Sequence, residues 1–235
     1  SNFATKGLQT IDYLLFHPDY NDATLLNYLS SNESVKYLEE VIIDLKENAK
    51  YVKDQWGTYI NSFISNSESN ADGTSMSNIV NALSIHFEAN VRKGKIGIPS
   101  GVFNGFSQQV MPAHTEAYFS GKSLVFARKS MDAIEKFYKG VSYANNSDGE
   151  GLDDYLNYVE AKKGSEFLDE LIKSQFTAIG TALSALNDPL SAEVLNNKEG
   201  VSNCYQEMQK MVSLIKVDLT SSLGVLVNYQ DTDGD

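Results

Sequence analysis

The feature that most constrains the fold is a long helical repeat of apolar residues between Val35 and Phe63. Its apolar positions recur every three or four residues, which is the spacing of one face of an α-helix. The repeat consists of Val35, Leu38, Ile42, Leu45, Ala49, Val52, Trp56, Ile60 and Phe63. Asn32 and Glu33 precede it, and an Asn cap followed by an acid in the first turn is typical of a helix N-terminus. One helix of this length predicts a protein built mainly by packing helices together.

Five further stretches carry helical periodicity. We predict helices over 75–93, 125–138, 152–161, 165–186 and 201–223. Gly140 follows the second of these, at a position where a glycine commonly closes a helix. No stretch alternates between apolar and polar residues for long enough to predict a sheet. The predicted fold class is therefore all-α, with up-and-down helical bundles joined mostly by short connections.

Two stretches interrupt the helical pattern. Residues 65–74 are polar, contain Gly and Asn, and are predicted to be a linker. This linker would divide the chain into a first unit over 1–64 and a second helical bundle over 75–235. Residues 94–123 are rich in Gly, Ser and aromatic residues and show no clear periodicity. Long irregular segments in compact proteins are often functional, so this one is a candidate for the site.

Composition narrows the class of partner. A formal net charge of −12 at pH 7 argues against a nucleic-acid partner, because phosphate binding depends on clustered Lys and Arg. The sequence has no run of about 18 apolar residues and so predicts no transmembrane segment. Cys204 is the only cysteine and cannot form an internal disulfide. We predict that it is a small buried residue on a helix face.

A segment near the start of the chain carries a resemblance to a known family. Gly7 begins the stretch GLQTIDYLLF, which is similar to the G-x-H-x-x-E helix and apolar tail of the imelysin family. Gln9 and Asp12 occupy the positions where that motif has His and Glu. Four later segments resemble the family in the same order, namely 116-EAYFS-120, 134-IEKFYKG-140, 151-GLDDYL-156 and 223-LGVLVNYQDTDGD-235. The resemblance therefore spans nearly the whole chain.

The resemblance implies a fold, a location and a set of activities. Imelysin-like proteins have an all-helical, two-lobed architecture with the motif near the meeting of the lobes. They typically carry further helices before the motif helix, which implies that this chain is part of a longer protein that supplies them. Members are exported to the periplasm or outer cell surface, often with a lipid anchor, and are associated with iron uptake. The founding member was described as an insulin-cleaving metallopeptidase.

Gln9 and Asp12 change the chemistry that the family motif implies. Residues three apart share one face of a helix, so both side chains keep the geometry to face one ligand. An amide carbonyl is a weak ligand that suits hard cations, whereas imidazole suits iron and zinc. A carboxamide also has no proton equilibrium near neutral pH for general-base catalysis. The sequence contains no H-E-x-x-H motif, so we predict no catalytic residue. The predicted binding positions are Gly7, Gln9, Asp12, Glu116 and Ser120.

One hypothesis is that a different set of ligands replaces the lost histidine. His114, Glu116 and Ser120 lie close together in the stretch 112-PAHTEAYFS-120. In an extended backbone His114 and Glu116 face the same way, where they could join Asp12 around iron or another divalent cation. The alternative is that His114 is exposed, while Glu116 and Ser120 bond to the loop backbone.

The other candidate ligands have simpler interpretations. His17 precedes a proline and is predicted to cap the first helix or to make a surface contact. His86 is predicted to lie at the edge of a buried helix face. The tail 231-DTDGD-235 resembles the opening of an EF-hand loop but lacks the closing Glu and the following helix. We interpret it as an acidic terminus.

Three classes of function are compatible with these features. The leading hypothesis is an exported, non-enzymatic imelysin-like protein that acts in iron or haem uptake. Its partners would be a metal ion, haem or components of an iron-uptake system. The second hypothesis is a metallopeptidase with a non-standard centre. The third is a surface module that binds a peptide, glycan or protein through its 13 tyrosines and the irregular segment.

Overall fold

The computed structural model describes residues 5–17, 19, 21–67 and 69–229, and its helices confirm the all-α class. They are α1 (Gly7–Phe16), α2 (Asp22–Leu29), α3 (Asn32–Ser65), α4 (75–100), α5 (Ser123–Tyr138), α6 (Leu152–Tyr158), α7 (Leu168–Ser184), α8 (Leu190–Asn196) and α9 (198–222). A short antiparallel hairpin joins α6 to α7 and consists of β1 (Lys162–Lys163) and β2 (Glu166–Phe167). Strands of two residues are too short to produce an alternating pattern, which is why the sequence did not predict them.

The long helix α3 is present as predicted and contains 34 residues. Its cap differs by one position from the prediction, because the Ser31 hydroxyl, rather than the Asn32 side chain, accepts the backbone N–H of Ser34 at 3.1 Å. Helices α1 and α2 pack along α3. The Tyr37 hydroxyl strengthens this packing by donating to the Thr5 carbonyl at 2.9 Å.

Helix α4 extends further than the sequence predicted. It continues past Lys93 through a π-helical stretch, His86–Gly97, and ends at Ser100. The irregular segment therefore begins at Gly101 rather than at residue 94. Gly101 has a φ of 86°, and a Cβ there would lie 2.6 Å from the carbonyl oxygen of Gln108. Only a glycine fits this conformation and this close approach. The chain therefore leaves the helix at Gly101.

The helices that follow also differ from their predicted ends. Helix α7 begins at Leu168, because the preceding residues form the hairpin, and α6 ends at Tyr158. The short helices α2 and α8 were not predicted, since seven or eight residues give too little periodicity. Gly140 follows the cap residue of α5 and has a φ of 67°, which confirms its predicted role in ending that helix.

Hydrogen bonds join the described residues of the predicted linker, 65–67 and 69–74, between α3 and α4. The Asn66 side chain donates to the Gly73 carbonyl at 2.9 Å, and the backbone N–H of Ser75 donates to the Asn66 carbonyl at 2.9 Å. Asn70 reaches across the molecule and donates to the Leu223 carbonyl at 2.6 Å. These bonds hold the connection between α3 and α4 in place. The division into domains at this point stays a prediction.

The hydrophobic core lies among α4 to α9. Its most buried members include Phe87, Ile96, Leu124, Leu156, Leu168, Ile172, Ile179 and Leu183. By contrast, α3 contributes one buried hydrophobic residue, Val41, and much of its apolar stripe is exposed. The second half of α3 therefore does not pack closely onto the core, and this leaves space beneath it.

Cys204 lies in the core, as predicted, and we expect its thiol to be unreactive in the folded protein. Burial raises the pKa of the Cys204 thiol from 9.0 to about 12. Below about pH 9 the thiol is protonated in both states and does not affect the free energy of unfolding. Between about pH 9 and pH 12 the unfolded chain loses the proton first, so this free energy falls.

A thiol reagent at about pH 8 should label Cys204 in the urea-unfolded protein and not in the native protein. Rapid labelling of the native protein would contradict this account.

Candidate ligand-binding site

Helix α1 places Gln9 and Asp12 against the segment 116–121, which connects the irregular region to α5. The Asp12 carboxylate accepts the backbone N–H of Phe119 at 2.9 Å and that of Ser120 at 3.1 Å. The Gln9 side-chain oxygen accepts the backbone N–H of Ala117 at 3.2 Å. Asp12 is 8% exposed, so these backbone N–H groups take the place of water around its carboxylate. The two motif positions thus bind α1 to the loop.

The loop turns on either side of Thr115, whose own backbone is extended, with φ −70° and ψ 140°. His114 ends a short 3-10 turn that begins at Pro112, and residues 116–121 turn again immediately afterwards. Ala117 has a φ of 49°, an uncommon conformation for a residue with a side chain. A proline-initiated turn precedes Thr115 and a second turn follows it, and the hypothesis that His114 and Glu116 face the same way stays a prediction. The Ser120 hydroxyl donates to the Ala117 carbonyl at 3.4 Å, as the loop-bonding alternative expected.

Aromatic rings reinforce the contact between α1 and the loop. The Phe119 ring lies 5.1 Å from the ring of Tyr13 and 5.5 Å from the imidazole of His17. His17 also follows the last residue of α1, in agreement with its predicted place at the helix end. Gly7 begins α1 with a φ of 82°. These residues support the docking of α1 and do not face the cavities described next.

A polar cavity of about 530 Å³ lies beside this contact. Its polar lining includes Gln9, His86, Asn90, Lys95, His114 and Glu116. The Lys95 ammonium forms an ion pair with the Glu116 carboxylate, and both side chains are largely shielded from solvent. His86 and His114 are exposed at the rim. The fold therefore gathers two imidazoles, one carboxylate and one ammonium around a single space.

A larger, mainly apolar cavity of about 930 Å³ adjoins the polar one. Its apolar lining comes from α3, α4 and α5, and includes Trp56, Tyr59, Phe63, Ile79, Leu83, Phe126, Ile134 and Phe137. His86, Lys95, Glu116 and Ser130 line both cavities. The two spaces therefore meet, and together they can accept a ligand with an apolar body and a polar or metal-bearing part.

The predicted site residues separate into two groups. Gln9, His114 and Glu116 line the polar cavity together, whereas Asp12 and Ser120 are bonded to each other and do not line it. Among residues 5–17, 19, 21–67 and 69–229, no three His, Cys, Asp or Glu side chains form a group that could hold a metal ion. Metal binding by Asp12, His114 and Glu116 stays a prediction. The tail 231–235, with its calcium-like pattern, lies outside the described residues.

The sequence did not identify the apolar cavity or the position of His86 beside it. Trp56, Tyr59 and Phe63 lie on one face of α3, and the ring centroids of Trp56 and Phe63 are 5.3 Å apart. A stripe of this kind has the same spacing whether it packs against a helix or lines a cavity. The π-helical stretch that begins at His86 is a local feature often found at functional sites, but it has no sequence signature that we could use.

Comparisons with known proteins define the class of this chain. The family model described as Imelysin, a peptidase family designated M75, matches residues 2–215. The chain therefore belongs to the imelysin family, and the resemblance drawn from the motif segments is confirmed. No curated protein and no solved structure gave a significant match. In the part of the chain that the structure describes, no helix has the length and apolar character needed to cross a bilayer.

Proposed function

We propose that this imelysin family member is a non-enzymatic binding protein that acts in iron uptake. The observation that carries the proposal is the joined pair of cavities between α3 and the helical core, with His86, His114 and Glu116 at the polar part. Imidazole and carboxylate are donors that suit iron, and because no three of them form a group in the described part of the chain, bound iron would keep water or chelator ligands as well. The family's association with iron uptake, which the motif resemblance implied, agrees with this donor set.

The side-chain chemistry and hydrogen bonds of Gln9 and Asp12 support the non-enzymatic part of the proposal. Gln9 has no accessible proton equilibrium, and its oxygen already accepts the backbone N–H of Ala117. Both oxygens of Asp12 accept backbone N–H groups, so neither is turned toward a substrate or a water molecule in the cavity. Neither residue is arranged to activate a water molecule in the way that a metallopeptidase requires.

Of the predicted metal set, His114 and Glu116 line the polar cavity, and Glu116 would exchange its ion pair with Lys95 for a metal ion. Asp12 would first have to release the two backbone N–H groups that it holds. We therefore propose His114 and Glu116 as the donors of the polar cavity, with Gln9 as a neutral neighbour. We also propose that the protein acts outside the cytoplasm, in the periplasm or at the outer surface, as the family resemblance implies.

Thermal unfolding of the metal-stripped protein tests this proposal. An iron ligand at about one hundred times its dissociation constant should stabilise the protein by about 2.7 kcal/mol, which raises the midpoint by about 5–10 °C at this chain length. We expect this rise with Fe²⁺ under anaerobic conditions, and a smaller rise in His114→Ala. The matched control is His17→Ala, which changes a histidine outside the cavity and should respond as the parent does.

Two results would overturn the proposal. One is the absence of any stabilisation by Fe²⁺, iron citrate or haem at concentrations up to the millimolar range. The other is chelator-sensitive cleavage of an unfolded protein substrate, which would favour the metallopeptidase alternative.

A further inference from the structure

We propose that the apolar cavity under α3 binds haem, with His86 as an axial ligand and Lys129 facing the carboxylate side chains of the porphyrin. The inference rests on the proposed role in iron uptake and specifies the form in which iron arrives. It is argued from the walls of the cavity, from the position of His86 and from the charges at the rim.

The walls of the apolar cavity suit a large planar aromatic molecule. Its volume of about 930 Å³ lies in the range of pockets that hold cofactor-sized ligands. Trp56, Tyr59 and Phe63 contribute rings from α3, and Phe126 and Phe137 contribute rings from α5. Aromatic side chains favour stacked and edge-on contacts with other aromatic systems. A flexible acyl chain would gain nothing specific from this concentration of rings.

His86 lies where the apolar and polar cavities meet, and it can supply a ligand to iron from the protein side. It is exposed at the start of the π-helical stretch of α4. The amide nitrogen of Asn90 lies 3.0 Å from Nδ1 of His86. As placed, Asn90 donates to Nδ1; rotation of the amide by about 180° would bring its oxygen to the same position, where it accepts the Nδ1 proton and leaves Nε2 as the ligating nitrogen. A histidine oriented by a hydrogen bond to its second nitrogen is the usual arrangement of a metal ligand.

One ammonium at the rim is placed to face the carboxylates of haem. Lys129 lies on α5, is exposed and lines the apolar cavity. Within the described part of the chain, no ion pair of Lys129 is present. Lys95 lies at the meeting of the two cavities, but the Glu116 carboxylate already neutralises its ammonium, so Lys129 is the cation at this rim that can face a carboxylate of haem. An apolar body with anionic groups at one edge would therefore place its charges at this rim.

Titration of the full chain with haem tests the inference, and Trp56 serves as the probe. It is the only tryptophan and it lines the cavity, so haem bound there should quench its fluorescence. We expect saturable quenching, together with a shift of the Soret absorption band that reports imidazole ligation. His86→Ala should lose the Soret shift and bind haem about tenfold or more weakly, yet still bind iron-free protoporphyrin IX. Lys129→Glu should weaken both porphyrins by about fivefold to tenfold.

The matched controls are His17→Ala and Lys210→Glu, which remove the same chemical groups away from the cavity and should bind haem as the parent does. Circular dichroism establishes that each variant is folded.

The inference is overturned if haem leaves Trp56 unquenched, or if the His86 and Lys129 variants behave as their controls. It is also overturned if palmitate, and not haem, binds with dependence on Lys129. If Fe²⁺ stabilises the protein but haem does not bind, the proposed function stands and this inference fails. If neither binds, both fail.

Discussion

Replacing Glu88 with alanine is expected to lower the free energy of unfolding by about 3–5 kcal/mol, the largest effect of any substitution considered. Glu88 is 1% exposed, and its carboxylate lies 3.0 Å from the ammonium of Lys216. The Tyr229 hydroxyl donates to the same carboxylate at 3.3 Å. Loss of the carboxylate removes the counter-charge of a largely buried ammonium, and the cost of that burial is no longer offset.

The position of the Glu88 pair explains why its loss should affect the whole fold. Glu88 lies in the π-helical stretch of α4, and Lys216 lies in a second π-helical stretch, Leu214–Leu219, within α9. Tyr229 belongs to the segment that follows α9. The carboxylate therefore joins three parts of the chain that are distant in sequence.

Urea unfolding of the Glu88→Ala variant provides the measurement. The matched control is Glu40→Ala, which removes an exposed carboxylate at 3.8 Å from Lys36 and should cost less than about 1 kcal/mol. The double variant Glu88→Leu with Lys216→Met removes both charges and should recover much of the lost stability. A cost below about 1 kcal/mol for Glu88→Ala would contradict the assignment of a buried, coupled pair.

The Asp12→Ala variant should lose about 3 kcal/mol of stability, because two hydrogen bonds to a buried carboxylate disappear together. The backbone N–H groups of Phe119 and Ser120 would lose their acceptor, and α1 would be held to the loop less firmly. Asp12→Asn keeps one oxygen and should lose roughly half as much. Hydrogen exchange at the amides of Phe119 and Ser120 should become faster in both variants.

The control for Asp12 is Asp54→Ala, which removes an exposed carboxylate paired with Lys50 on α3. It should change stability by less than about 1 kcal/mol and leave the two amides unaffected. Unchanged exchange at Phe119 and Ser120 in the Asp12 variants would contradict the role that we assign to this residue. If a chelator removed the same stability from the parent protein, Asp12 would instead be acting through a metal ion.

The helices could be predicted from sequence wherever an apolar stripe was long enough to have a period. Helix α3 is the clearest case, since its stripe runs from Val35 to Phe63. Helix α8, with seven residues, is held by contacts with α9 and with the loop before α5, and such contacts leave no periodic signal. The extension of α4 through Gly94 and Gly97 could not be predicted either. There, packing of the helix against the core overrides the low helix propensity of glycine.

The candidate site was predictable only in part, because it is assembled from distant segments. Gln9, His114 and Glu116 were singled out by the motif and by the irregular segment, and they do line one cavity. Lys95 and Glu116 are joined across 21 positions of sequence, and nothing in the local pattern of either residue indicates that contact. Asp12 was assigned to the same site because it shares a helix face with Gln9. Its carboxylate turns instead toward backbone donors that no sequence pattern reveals.

The most direct test of the account is the position of bound iron in crystals of the protein grown with haem, located by anomalous scattering at the iron absorption edge. The account predicts one iron peak at the meeting of the two cavities, beside His86, with Asp12 still bonded to the backbone of Phe119 and Ser120. A peak coordinated by Asp12, with those two backbone N–H groups released, would contradict it. The motif positions would then be the iron site, as in the family pattern.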